Sequence, residues 1–370
     1  MTSREAFLVL NAVPGVGPIT VRRLLERFGD AGEILRARPR QLQEVQGVGP
    51  EISSRIAEGL ANFDLSAELG KLEALGARVV LPEDEEYPAL LSEIYDPPVV
   101  LYARGKLAPD RPCLAVVGSR QTSYYGIETS RKLCGRLAEL GFSIASGLAR
   151  GIDTAAHQGA LQARGHTVAV LGCGLDVVYP PENEKLVAGI LEGGGAILSE
   201  FPLGTRPSKQ TFPRRNRIVS GMSLGTMVVE ADVESGAMIT AHLANEQGRQ
   251  VFAVPGRIDS GQARGCHKLI KEGAKLVEGV EDILCEFEHL FAPRRCEIAN
   301  DDGPQTHAAP IRALSAEQRK IYDVLLDEAV EIDQITALSG LEPAIVSSGL
   351  LMLEMKKLVK QFPGKRFSRS

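Results

Sequence analysis

Val117-Gly118-Ser119-Arg120, then Ser146-Gly147-Leu148-Ala149-Arg150-Gly151-Ile152-Asp153, then Leu171-Gly172-Cys173-Gly174, and finally Val254-Pro255-Gly256 each end an apolar run in a glycine turn. Around them, short apolar runs at 78–81, 99–102, 113–117, 142–145, 167–171, 196–198, 226–231 and 250–254 alternate with helix-like segments such as 126–140, 153–164 and 237–247. Apolar runs without period-2 alternation, spaced by helices, are strands buried on both faces of a parallel sheet. The spacing predicts an α/β fold, an extended Rossmann-like, doubly wound, mainly parallel sheet over residues 65–290. The runs near 78 and 99 read as an N-terminal extension of it. Such a sheet binds its ligand at the carboxyl ends of its strands, where these turns fall.

Glycine at a strand's carboxyl end exposes backbone N–H groups to an anion. On that ground Gly118, Ser119 and the Ser146-Gly147 turn read as phosphate holders, with Arg120 gripping a neighbouring phosphate. The segment Arg206-Pro207-Ser208-Lys209-Gln210-Thr211-Phe212-Pro213-Arg214-Arg215-Asn216-Arg217 sets four arginines and a lysine beside one ring. Arginine's planar fork suits phosphate, and a ring among cations suits a groove that tracks a nucleic-acid backbone and stacks a base. Pro213 reads as stiffening the loop that presents Phe212. The packing alternative makes Phe212 core and the arginines a solvated helix face. It is weakest for the cluster, since acids are few until Glu230, and strongest for Arg217, which is placed to tie the loop to Glu200 or Glu230. Asp153 and His157, one helical turn apart, are too few ligands for a metal; helix capping by Asp153 explains them.

Together Val117-Gly118-Ser119-Arg120, Ser146 to Asp153 with Ala156-His157, Phe212-Pro213-Arg214-Arg215-Asn216-Arg217-Ile218, Val228-Val229-Glu230-Ala231, Glu246-Gln247-Gly248-Arg249 and Phe252-Ala253-Val254-Pro255-Gly256 resemble the DNA-processing protein A (DprA, or Smf) family of bacterial single-strand binders. The resemblance implies a cytoplasmic, non-enzymatic protein that binds single-stranded DNA in natural transformation and recombination. It further implies protection of incoming strands, loading of the RecA recombinase, and a homodimer formed through the Rossmann-like domain. Its single-strand site carries over to Gly118, Ser119, Arg120, Ser146, Gly147, Lys209, Phe212, Arg214, Arg215 and Arg217. His267 departs from the asparagine expected in the family's Gly-x-Asn segment near Gly265.

Residues 1–64 contain a short repeat: Val13-Pro14-Gly15-Val16-Gly17-Pro18 is echoed by Val45-Gln46-Gly47-Val48-Gly49-Pro50. An amphipathic helix follows each, with apolar faces on Ile19, Leu24, Leu25 and Phe28, and on Ile52 and Ile56. This resembles a helix-hairpin-helix (SAM-like) domain. Arg22 and Arg23 favour DNA contact by the first hairpin, and Glu51 disfavours it at the second. Residues 291–311, carrying Pro293, Asp301-Asp302-Gly303-Pro304 and Pro310, read as a linker. Over 312–370, Ser315 caps a helix through Ile321 and Leu325, a second helix covers 332–338, and Pro343 opens a third carrying Val346, Leu350 and Leu353. A basic tail (Lys356, Lys357, Lys360, Lys365, Arg366) interleaved with Phe362 and Phe367 completes a winged-helix pattern around Pro363-Gly364. Glu342, Ser347, Ser348 and Glu354 make its third helix a poor phosphate face, so a protein-interaction role competes with DNA binding.

Composition narrows the classes. With 42 Lys+Arg against 47 Asp+Glu, nucleic-acid affinity must come from a local patch. Six scattered cysteines without a C-x-x-C pair argue against zinc or a disulfide framework. No apolar run approaches membrane-spanning length, so no membrane contact is expected. Gly172-Cys173-Gly174 lacks the third glycine of a dinucleotide fingerprint, and no Gly-Lys-Ser/Thr follows a glycine loop; no cofactor is expected. The rival is a nucleotide phosphoribohydrolase-like enzyme with a similar phosphate pocket. Its Pro-Gly-Gly-x-Gly-Thr loop would fall near 231–240, where Asp232-Val233-Glu234-Ser235-Gly236-Ala237-Met238 stands instead.

Overall fold

A computed structural model of the chain describes residues 1–287 and, further on, 316–325, 330–341, 343, 345–346, 350, 353, 359–362 and 366–369. Contacts divide the chain into two units, Met1–Ala292 and Pro293–Ser370. The expected linker at 291–311, the Ser315 cap, Glu342, Ser347, Ser348, Glu354, Lys356, Lys357, Lys365 and the Pro363-Gly364 turn lie outside the described residues.

The first unit is built on a nine-stranded mixed sheet, in the order β1 (Ala77–Val80), β2 (Leu101–Gly105), β6 (Ala196–Ser199), β5 (Thr167–Leu171), β4 (Ser143–Ser146), β3 (Cys113–Gly118), β7 (Gly225–Val229), β8 (Gln250–Ala253) and β9 (Lys275–Leu276). From β6 to β9 every pairing is parallel, whereas β1 and β2 extend the sheet antiparallel at the β6 edge. Strands β4, β5 and β7 are buried along their whole length, as strands covered on both faces must be. The chain steps outward from β3 to β6, then returns to lay β7 on the other side of β3. That reversal is the topological switch point, and its crevice opens beyond the carboxyl ends of β3 and β7. Gly118 makes the junction possible: a Cβ there would overlap the Val229 carbonyl and lie 2.8 Å from Ile152 Cβ.

The N-terminal helices share a core with the sheet, in which Val21, Leu24 and Ile56 join Tyr102, Leu171 and Leu203. Val21, which the apolar pattern passed over, is buried, while Ile19, Leu25, Phe28 and Ile52 are only partly so. Both hairpins turn on a left-handed glycine, Gly15 at φ +87° and Gly47 at φ +90°. They clasp each other reciprocally. Arg55 Nη1 donates to the Pro14 carbonyl at 3.1 Å, and Arg23 Nη1 donates to the Gln46 carbonyl at 3.1 Å. Arg22, read as a DNA contact, donates to the Tyr95 carbonyl and lies over the Tyr95 ring.

In the second unit, helices Ala316–Val324 and Ile332–Ser339 accompany an antiparallel sheet ordered β10 (Val330–Glu331), β12 (Arg366–Arg369), β11 (Val359–Phe362). Ile321, Leu325, Ile335, Val346, Leu350, Leu353, Val359 and Phe367 form its core. Phe367, expected among the basic residues of the tail, is thus a core residue.

Candidate nucleic-acid interface

At the switch point lies a groove of about 460 Å³, lined from the turn after β3 by Ser119 and Arg120, from the turn after β4 by Gly147 and Ala149, and from the opposite wall by Lys209, Phe212, Arg215, Asn216, Ser235, Gly236 and Thr240. A second compartment of about 260 Å³ adjoins it, walled by Arg150, Tyr179 and Pro180. Phe212, Arg120 and Arg215 line both.

The segment read as a loop turns helical one residue before its ring: Thr211–Gly221 is a helix, with Pro213 in its first turn. Proline is tolerated there because the missing N–H has no intrahelical partner to lose. Helical phase then sorts the basic block. Phe212, Arg215, Asn216 and Val219, spaced i, i+3, i+4 and i+7, line the groove. Arg214 and Arg217, also read as site residues, face a different cavity beside Gly15, Gly17 and Asp96. Arg217 is buried, donating Nε to Asp96 at 2.9 Å and Nη2 to Glu200. Its position matches the tie to Glu200 that the sequence offered as its alternative role. Arg214 is half-exposed, 3.5 Å from Glu200 and over the Phe201 ring.

Phe212 is partly buried against Gly172, where a Cβ would lie 2.8 Å from Phe212 Cδ1. The Arg120 guanidinium sits 5.2 Å from the Phe212 ring centroid, and the Tyr179 ring is 5.7 Å away, tilted by 38°. Lys209 is exposed at the groove's rim. Below lies Arg215, only 4 % exposed, its Nη1 donating to the Val170 carbonyl at 2.6 Å. Burial pushes its pKa down, yet arginine's ordinary value is so high that it stays charged. Its Nε has no partner among the described residues. The guanidinium lies flat on Gly147, where any Cβ would overlap Nη1.

The backbone donors expected to hold phosphate are already engaged. Ser119 N donates to the Glu230 carbonyl at 2.7 Å, and the Ser119 hydroxyl donates to the Gln121 carbonyl at 2.9 Å. Gly147 N and Ala149 N donate to Asp153 Oδ2 at 3.2 and 3.3 Å. Asp153 therefore does not cap its own helix, whose N-cap is Gly151 at φ +76°; it fills the turn in which a phosphate would sit. Burial pushes its carboxyl pKa up, opposed by Arg215 and these N–H groups. Ser146 is also displaced from the expected site: fully buried, it donates Oγ to the Val116 carbonyl at 2.6 Å, joining β4 to β3. His157 is buried against Thr167 Oγ1 at 2.7 Å and held neutral, its pKa down to about 3 through burial and Arg215. Among the described residues no group of three His, Cys, Asp or Glu side chains could hold a metal, and no helix is long and apolar enough to cross a membrane.

The donors left to the groove are side chains and one helix end that the sequence reading passed over. Helix Gly236–Glu246 begins here with Ser235 as N-cap and no side-chain cap, so its first N–H groups face the groove. The available signal was position: Ser235-Gly236 follows β7, at the switch point. Tyr179 gave no local signal beyond being aromatic.

Residues 78–288 match the family described as DNA recombination-mediator protein A, residues 305–365 a DprA winged helix domain, and residues 7–62 a SAM-like helix-hairpin-helix tandem. Protein Smf of Synechocystis is 36% identical over 99% of both chains. The solved DNA processing protein A of Streptococcus pneumoniae is 40% identical, with a TM-score of 0.67, covering 77% of this chain and 98% of its own. That of Helicobacter pylori, described for its single-stranded DNA binding mode, is 30% identical with a TM-score of 0.52, over 57% and 96%.

Proposed function

The chain belongs to the DNA recombination-mediator protein A family, and from that premise we propose that it binds single-stranded DNA in the groove between Arg120, Lys209 and Phe212. The observation that carries this reading is the cation-flanked ring: Phe212 offers a stacking face while Arg120, Lys209 and the buried Arg215 supply positive charge. Stacking without base-edge donors is tolerant of sequence, which suits a protein that handles arbitrary strands. Within the family's role in DNA processing, we read the protein as protecting such strands and loading RecA on them, as a cytoplasmic homodimer active in transformation. Gly118, Ser119 and Gly147 serve in this reading as the close-packed floor that brings Arg120 and Arg215 together.

A phosphoribohydrolase-like activity fits less well, because Asp232 to Met238 stands where that enzyme's Pro-Gly-Gly-x-Gly-Thr loop would fall. Free base released from AMP would establish it. The binding reading is tested by titrating single-stranded and duplex oligonucleotides at several salt concentrations. Lys209→Ala and Arg120→Ala should each weaken binding to all single strands alike and flatten the salt slope by roughly 0.7–1. Unchanged affinity and slope in both variants would place the site elsewhere.

A further inference from the structure

The groove proposed for DNA does not end at Phe212. Beyond the ring lies the 260 Å³ compartment, whose far wall is Tyr179, 37 % exposed, and whose rim carries Arg150. The compartment shares Phe212, Arg120 and Arg215 with the main groove. Arg150 is exposed and paired with Glu182, also exposed, an arrangement worth little in water and readily exchanged for a phosphate. The charges lining the compartment are Arg120, Arg150 and Arg215; the nearest acids are Glu182, paired with Arg150, and Asp153 of the main groove, one oxygen of which already accepts from two backbone N–H groups. A wall of two tilted aromatic rings with cations at its edge suits an aromatic, anion-linked ligand.

We propose that this compartment is a second nucleotide subsite: the base next to the one in the main groove enters the compartment beside Phe212, stacks on Tyr179, and its phosphate is met by Arg150. Phe212 then stands as a wedge between successive bases, and the two compartments set the minimum occupied length at two nucleotides. This rests on the single-strand reading above and adds to it a residue and a register.

The chain has no tryptophan, so Tyr179→Trp and Phe212→Trp each create a sole indole reporter. In the full-length protein, oligothymidylate should quench both, with the same midpoint, and an abasic strand of equal length should quench neither. Tyr179→Leu should weaken oligothymidylate binding by roughly fivefold or more, the loss of one stacked base, and leave abasic-strand binding unchanged. Should the indole at 212 be quenched while that at 179 is not, Tyr179 only props Phe212; the subsite is overturned and the single-strand reading stands. Should neither be quenched, with wild-type binding intact, the groove itself is misplaced and both fall.

Discussion

The proposed role of Phe212 sets two demands that usually conflict, a ring packed well enough to hold a rotamer and open enough to meet a base. Gly172 lets the ring lie against the backbone on one side, and the residue stays partly exposed, with the Arg120 guanidinium over the ring. Phe212→Ala should lower single-strand affinity by roughly 1–3 kcal/mol with a small loss of stability, and Phe212→Trp should retain most binding. Titration beside a thermal melt checks both; a large drop in melting temperature for the alanine variant would assign the ring to the core. Gly147 shows the same logic with the opposite partner, since its missing side chain is the space that the Arg215 guanidinium fills.

At the scale of elements, two contacts carry consequences. His157 Nδ1 with Thr167 Oγ1 pins helix Ile152–Gln162 to β5. The folded pKa of His157, about 3, lies below its ordinary 6.5. Between those values the unfolded chain holds the extra proton, so stability rises with pH across the window and falls on acidification. Asp153, pushed upward by burial, acts in the opposite sense, so the measure is the difference between variants. His157→Gln should show a shallower decline of melting temperature from pH 6.5 toward pH 3 than the wild type; parallel curves would mean that His157 takes up its proton while folded. The second contact is the reciprocal clasp of the hairpins. Arg23→Ala should destabilise the protein by about 1 kcal/mol through one lost hydrogen bond to a carbonyl, and Arg55→Ala by at least as much because its ion pair with Glu51 goes too, with the DNA salt slope unchanged. A flatter slope for Arg23→Ala would return that arginine to the phosphate contacts.

For the whole molecule, the described residues that line the groove and the second compartment all belong to the first unit. The second unit has a core of its own, from Ile321 to Phe367. A chain shortened to Met1–Ala292 should therefore fold and bind single strands with near-native affinity, measured by the same titration. Any duplex affinity of the full chain should fall more, because Lys356 to Arg366 would be gone. A severalfold loss of single-strand affinity in a folded, shortened protein would show that the second unit takes part in the main site.

The sequence by itself determined the fold class and the place of the crevice, because both rest on local signals. Apolar runs such as 113–117 and 167–171 report strands buried on both faces, and glycines such as Gly118 and Gly172 mark where backbone and side chains approach too closely for a Cβ. It also singled out the basic block and Phe212 as candidates for the chemistry of the site. Which of those groups face one another was decided only by tertiary structure. Arg214 and Arg215 are neighbours in sequence, yet helical phase sends one to a cavity by the first hairpin and the other to the floor of the groove. Asp153 reads as a cap until the turn after β4 folds back over it and supplies two N–H groups. Tyr179 and Ser235 reach the groove because the strand order sets the segments after β5 and β7 around the end of β3. Hydrogen-bond commitment and side-chain direction depend on partners distant in the chain, and no local pattern of residues encodes them.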